Sequence, residues 1–152
     1  MSGIVVTIFI CPTAGGEMEE VQEVEAIAGA GLKGDRYATG SGSWNKGEEG
    51  KRQVTFINSL FFVGTSYQYA DSRRNIVTVG IELMYLIGRE FGVGEVRFRG
   101  VKYCDPCERP TKLADKEESF REAFFDRGGL IAEVIEGGVI KKGDPFIPPS
   151  RK

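Results

Sequence analysis

Histidine is absent from all 152 residues. That excludes Ser-His-Asp triads, Cys-His nucleophile pairs, histidine-ligated zinc and histidine acid–base catalysis. Any proton transfer falls to a carboxylate, lysine, tyrosine, cysteine or water. Cysteine is scarce: Cys11, Cys104 and Cys107 are too few, and odd in number, for a disulfide scaffold. With no leader-like run at the N-terminus, the expected setting is reducing and cytoplasmic. The apolar run 4–11 is far shorter than a membrane-spanning helix, which needs about 20 residues, and reads as a buried strand. No membrane association is expected. Neither sign of charge dominates: 20 Lys+Arg against 22 Asp+Glu leave a net charge of −2. That balance argues against a nucleic-acid binder, which carries a strongly basic face.

What is present is an ordinary globular composition, 41% hydrophobic and 28% charged. The length suits a single domain over residues 1–152 with a core of its own. The 21 glycines are scattered, as turns between short strands require. Strands are expected at 4–10, 21–28, 53–57, 76–79, 95–103, 130–135 and 139–141, with Gly137-Gly138 turning between the last two. Lys142-Gly143-Asp144-Pro145 makes a further turn before Phe146-Ile147. Helix is sparser. Asp115 and Glu118 have capping-box spacing ahead of Phe120, Ala123 and Phe124, and Gly128 can end that helix. Segments 59–70 and 82–87 are expected as short helices. The pattern predicts a mainly β (α+β) fold, a closed or partly open β-barrel with a few short helices.

Gly29-Ala30-Gly31-Leu32-Lys33-Gly34 matches the G-x-G-x-x-G pattern after a strand. A dinucleotide fingerprint must open a helix whose N-terminus faces the pyrophosphate. The following Asp35-Arg36-Tyr37-Ala38-Thr39-Gly40-Ser41-Gly42-Ser43 is too rich in glycine and serine for a helix interior. The stretch reads instead as an anion-binding loop, or as an ordinary surface loop. Glycine lets backbone amides converge, and Lys33 and Arg36 add positive charge.

Ser72-Arg73-Arg74-Asn75 precedes a predicted strand. On an extended segment two adjacent arginines point to opposite faces, so one is expected in a pocket and the other in water. Cys104-Asp105-Pro106-Cys107 follows another strand. One more cysteine and no histidine leave a mononuclear zinc site short of ligands. A thioredoxin-like pair needs a helix at its second cysteine, and Pro110 with no long helix behind it disfavours that. A single thiolate acting as a soft metal ligand or sulfur carrier remains, beside the bland reading of two idle cysteines. Asp105 and Glu108 oppose a thiolate nearby, whereas Lys102 and Arg109 favour one, so local sequence does not separate Cys104 from Cys107. Cys11, before Pro12, reads as a small buried residue. Trp44 is expected either to wall a pocket or to cap a barrel mouth.

Three segments in order resemble the MOSC domain, named from the C-terminal domain of molybdenum cofactor sulfurases. They are Gly31-Leu32-Lys33-Gly34-Asp35-Arg36, then Ser72-Arg73-Arg74-Asn75-Ile76-Val77-Thr78 leading to Gly80-Ile81-Glu82-Leu83, then Gly100-Val101-Lys102-Tyr103-Cys104-Asp105-Pro106-Cys107. The Gly143-Asp144 turn fits as well. The resemblance implies a β-barrel with a pocket at these segments. It points to Cys107 as the key residue, either ligating molybdenum or carrying sulfur as a persulfide. It places Lys33, Asp35, Arg36, Arg73, Arg74 and Asn75 near the phosphate and pterin of the molybdenum cofactor (molybdopterin). Tyr37 stands where many relatives have histidine. The resemblance further implies an oxidoreductase component acting on N-hydroxylated or similar compounds, with an electron-transfer partner. The alternatives are a sulfur carrier served by a desulfurase, pyridoxal phosphate being on that partner alone, and a non-catalytic barrel that has lost the cofactor.

Overall fold

The computed structural model describes residues 3–39 and 52–149. Eleven strands and two short α-helices are assigned among them. The strands are β1 (Ile4–Ile10), β2 (Glu19–Val21), β3 (Glu23–Ile27), β4 (Gly31–Leu32), β5 (Val54–Asn58), β6 (Ile76–Val79), β7 (Glu90–Val93), β8 (Val96–Tyr103), β9 (Leu130–Glu136), β10 (Gly138–Lys141) and β11 (Phe146–Ile147). The helices are α1 (Arg109–Ala114) and α2 (Phe120–Ala123). Eight strands form one sheet in the order β11-β7-β8-β9-β5-β6-β1-β2, and three form a second, β10-β3-β4. The sheets do not close. The architecture is a partly open barrel, mainly β, as the sequence predicts. Its two ends come near each other where Val5 N–H donates to the Asp144 carbonyl and Gly143 N–H to that of Val5.

All pairings are antiparallel except β5 with β6. A parallel pair needs a crossover, here residues 59–75, with 3₁₀ turns at Ser59–Phe62 and Tyr69–Ser72. Strand β8 alternates: Val96, Phe98 and Gly100 are buried while Arg97 and Arg99 reach solvent and pair with Glu90. In β5 four successive residues, Val54 to Ile57, are buried, because that strand is covered on both faces. Phe56 packs into the main core, edge-on against Phe91, Phe98 and Phe146 at centroid separations of 5.8, 5.2 and 6.0 Å. Its neighbour Ile57 packs into a second cluster with Phe9, Phe62, Tyr67, Val77, Phe120 and Phe124. That second core joins the crossover to α2 and closes the end of the sheet where the arginine and cysteine segments emerge.

Several sequence expectations change in detail. The predicted strand 21–28 is divided between β2 and β3, which lie in different sheets. The segment 59–70 forms 3₁₀ turns rather than one helix, and 82–87 is likewise a 3₁₀ turn at Leu83–Leu86 capped by Glu82. Asp115 is not an N-cap. It ends α1 in the left-handed conformation at φ 54°, and Ser119 caps α2 by accepting from Glu122 N–H. Pro110 sits in the first turn of α1, where proline gives up an amide that has no intrahelical partner, and α1 is only six residues long, in keeping with the expectation of no long helix there. Phe124 is the C-cap of α2, and Gly128 lies beyond it. Residues 40–43 of the glycine- and serine-rich loop, and Trp44 with them, lie outside the described residues.

Candidate functional site

The three segments of the sequence pattern meet at one cavity of about 300 Å³, at the lower end of the usual range for ligand pockets. Each wall has a local cause.

The first wall follows β4. Asp35 is fully buried and organises the turn: its Oδ1 accepts from Cys11 N–H at 2.8 Å and from Arg36 Nη1 at 3.0 Å, and its Oδ2 accepts from Tyr37 N–H at 3.1 Å. Asp35 therefore holds Arg36 without lining the cavity. Arg36 stacks 4.1 Å over the Tyr37 ring and donates to its hydroxyl at 3.0 Å. Both Arg36 and Tyr37 line the cavity.

The second wall is the arginine pair. The expectation that they face opposite ways assumed an extended backbone. Arg73 instead adopts φ 64° and ψ 22°, the left-handed conformation that ends the 3₁₀ turn, and both Arg73 and Arg74 line the cavity. A non-glycine residue there is strained, and the surrounding structure must fix it. The fixing contacts are visible. Arg73 Nη1 donates to the Gly16 carbonyl at 2.9 Å, and Nη2 lies 3.5 Å from Cys11 Sγ. Arg74 donates through Nε to the Gly128 carbonyl at 2.8 Å and through Nη1 to that of Ser72 at 3.1 Å. Its Nη2 is buried without a hydrogen-bond partner among the described residues. Burial pushes the Arg73 guanidinium below its ordinary pKa, and the like charges of Arg36 and Arg109 add to this against the opposing Cys11 sulfur. Asn75 is fully buried behind the pair: its Oδ1 accepts from Thr55 N–H and Oγ1, and its Nδ2 donates to the Phe9 carbonyl, so it ties β1 to β5 and stays off the cavity.

The third wall is the cysteine segment. In β8 the register against β9 shifts between Gly100 and Lys102, leaving Val101 as a bulge that re-aims the end of the strand. Lys102, Asp105 and Cys107 line the cavity, followed by Arg109 and Pro110 at the start of α1. The structure separates the two cysteines where local charge did not. Cys104 is fully buried with Arg52 Nη1 at 3.4 Å, whereas Cys107 is half-buried on the cavity wall. Cys11 is fully buried as expected, and its Sγ donates to the Thr13 carbonyl.

Arg36, Arg73, Arg74 and Cys107 thus come together, while Lys33 does not join them. Lys33 is exposed and sits 3.9 Å from Glu25 on the surface. Sequence reasoning gave no site role to Gly15 or Arg52, and weighed Lys102 and Arg109 only as charges near a thiol. The position of the latter two beside Cys107 in the chain was their only signal. The lining holds six cationic side chains and one carboxylate. Among the described residues, Arg73, Arg74, Lys102 and Arg109 form no ion pair with a carboxylate. Converging unmatched cations cost free energy unless an anion joins them, so the donor set is suited to a phosphate-sized group. Among the described residues no cluster of three or more Cys, Asp or Glu side chains is arranged to hold a metal ion, and no helix is long and apolar enough to cross a membrane.

Residues 51–146 match the model of the MOSC domain. A comparison with curated protein sequences found no match. Among solved structures, the YUAD protein from Bacillus subtilis superposes with a TM-score of 0.77 at 16% identity, covering 96% of this chain and 94% of that one. YiiM from Geobacillus stearothermophilus gives 0.71 at 15% identity, covering 98% and 76%, and YiiM from Escherichia coli gives 0.65 at 18%, covering 100% and 71%. At such identities the likeness is one of fold. With the family model covering well over half of its residues, the chain belongs to the MOSC domain family.

Proposed function

We propose that this chain binds the molybdenum cofactor as a component of an oxidoreductase, with Cys107 as the protein ligand of molybdenum. The observation that carries this reading is the placing of a half-buried thiol, Cys107, on the wall of a cavity where four cationic side chains have no carboxylate partner among the described residues. Both halves of the donor set suit the cofactor. A sulfur ligand is soft enough for molybdenum, and guanidinium groups grip phosphate with forked hydrogen bonds. Arg73, Arg74 and Arg109 hold the phosphate, Arg36 is locked in place by Asp35, and Asn75 keeps the Arg73–Arg74 turn attached to β1 and β5. Lys33 would contribute only from the surface. The cofactor, when bound, supplies two-electron redox chemistry to an N-hydroxylated or similar substrate. A separate electron-transfer protein provides the reducing equivalents.

The test is purification from a host that makes the cofactor, with molybdenum and pterin measured per chain. Near-stoichiometric amounts are expected in the wild type, and Cys107→Ser should lose the metal. Arg73→Ala should weaken retention by about 1–3 kcal/mol, the scale of a charge-assisted hydrogen bond. A wild type free of both molybdenum and pterin sinks the reading. If incubation with a pyridoxal-phosphate desulfurase and cysteine then adds sulfur to Cys107, the sulfur-carrier role takes its place.

A further inference from the structure

A second cavity, of about 590 Å³, shares two wall residues with the first, Gly15 and Arg73. Its lining is less cationic, with Arg73 as its one cation. Met18, Ala70, Leu113 and Ala114 give it an apolar lining, and its remaining charged residues are the carboxylates Glu17 and Asp71. Leu113 is 44% exposed on α1, so it presents an apolar side chain that the fold itself leaves partly uncovered. Lys116 lies 3.6 Å from Asp71 and offsets part of its charge. Glu17 is exposed and forms no ion pair among the described residues. Arg73, common to both linings, is pinned by its bond to the Gly16 carbonyl.

We infer that this second cavity is a further ligand subsite, for a small organic cation: an ammonium group carried on an apolar alkyl or aryl body. Charge sorts the two cavities. The first lining, with six cations against one carboxylate, repels such a ligand and draws anions. The second lining takes the apolar body against Met18, Ala70, Leu113 and Ala114 and sets the ammonium near Glu17, with Asp71 as the weaker second partner. A molecule held there abuts Arg73 and so lies next to the cavity that Cys107 lines. The binding itself needs no cofactor, but its use as a substrate subsite rests on the reading proposed above.

Benzylamine titrated into the purified full-length protein and followed by NMR tests the inference. Shifts are expected at Met18, Ala70, Leu113 and Ala114. Benzoate, the same ring with the opposite charge, should leave those residues unmoved. Glu17→Lys should weaken benzylamine binding by up to about fivefold, given that a partly exposed ion pair is worth up to roughly 1 kcal/mol. Its fold is checked by circular dichroism and by unchanged shifts with inorganic phosphate at the first cavity. Equal responses to benzylamine and benzoate, shifts confined to other surfaces, or an indifferent Glu17→Lys would overturn the inference. Benzylamine binding in a protein that retains neither molybdenum nor pterin leaves this subsite standing and sinks only the cofactor reading. A protein loaded with both and blind to benzylamine does the reverse.

Discussion

Asp35 Oδ1 and Arg36 Nη1 meet at 3.0 Å with both side chains almost wholly withdrawn from solvent. The pair is not a stabilising ornament, because a buried ion pair roughly offsets its own desolvation. Its consequence is positional: one carboxylate fixes the Cys11 and Tyr37 amides and aims Arg36 at the cavity. Asp35→Asn removes the charge and swaps one acceptor for a donor, so the buried Arg36 loses the carboxylate that holds its Nη1. The expected loss is about 3–5 kcal/mol in urea unfolding, the range for removing one partner of a buried pair. A loss under about 1 kcal/mol would mean that an internal anion other than Asp35 balances Arg36.

The three thiols should differ sharply in reactivity under native conditions. Cys107 is half-buried on a cavity wall, whereas Cys11 and Cys104 have no exposed surface. A buried thiol reacts only after local opening, so a brief pulse of iodoacetamide should label Cys107 faster than either by about a hundredfold or more. Peptide mapping by mass spectrometry reads this directly. Labelling of Cys104 at the rate of Cys107 would contradict the arrangement of the cysteine segment.

How much of this was legible beforehand differs from residue to residue. The strand pattern was, because alternation such as that of 96–100 reports burial on one face. The ordered segments containing Arg36, Arg73, Arg74 and Cys107 were too, and all four line the first cavity. What escaped were properties set by tertiary contacts. Arg73 lines the same cavity as Arg74 because its backbone is left-handed, a conformation imposed by the 3₁₀ turn and the bond to Gly16 rather than by its own preference. Asp35 and Asn75 were read as ligand contacts. Asp35 instead accepts from Cys11 N–H, Tyr37 N–H and the Arg36 guanidinium, and Asn75 from Thr55 on β5, so tertiary bonds to Cys11 and Thr55 that no local pattern reveals consume their acceptors. Local charge did not separate Cys104 from Cys107; their difference in burial is tertiary, and the Cys104 backbone packs against Gly128, twenty-four residues further along the chain.

Gly128 is that packing point. A Cβ built on it would stand 2.0 Å from the Cys104 carbonyl oxygen and 2.9 Å from Pro106 Cδ. Its own carbonyl accepts from Arg74 Nε, so one residue spaces the arginine wall from the cysteine wall. Gly128→Ala must push the backbone of residues 104–106 away. The cost should be about 2–3 kcal/mol, as for overpacked cores. The same displacement should raise the labelling of Cys104 relative to Cys107, a change that a uniform loss of stability would not produce. Unchanged stability together with unchanged labelling would refute this spacing role.

Acid should loosen the segment that follows Cys107. The Glu108 carboxylate accepts from Ser119 Oγ at 2.7 Å and from Thr111 Oγ1 at 2.8 Å, and these bonds hold it below the ordinary glutamate pKa despite an opposing effect of desolvation. Glu118 is lowered by its bonds from Ser66, Glu20 by Lys142 and Thr7, and Glu90 by Arg97 and Arg99. A depressed carboxylate contributes stability that is fully present above its unfolded pKa, about 4.3 for glutamate, and is lost as pH falls through the lower folded value. Between those two values the unfolded chain binds more protons, so Tm should decline as pH drops below about 4.3. Glu108→Gln removes one titrating group from that limb. Its Tm-versus-pH curve, followed by circular dichroism from neutral to acid, should therefore lie below the wild-type curve at pH 7 and converge on it in acid. A constant gap across the whole range would show that Glu108 acts by shape alone, and that its ionisation has no part in holding α1 to α2.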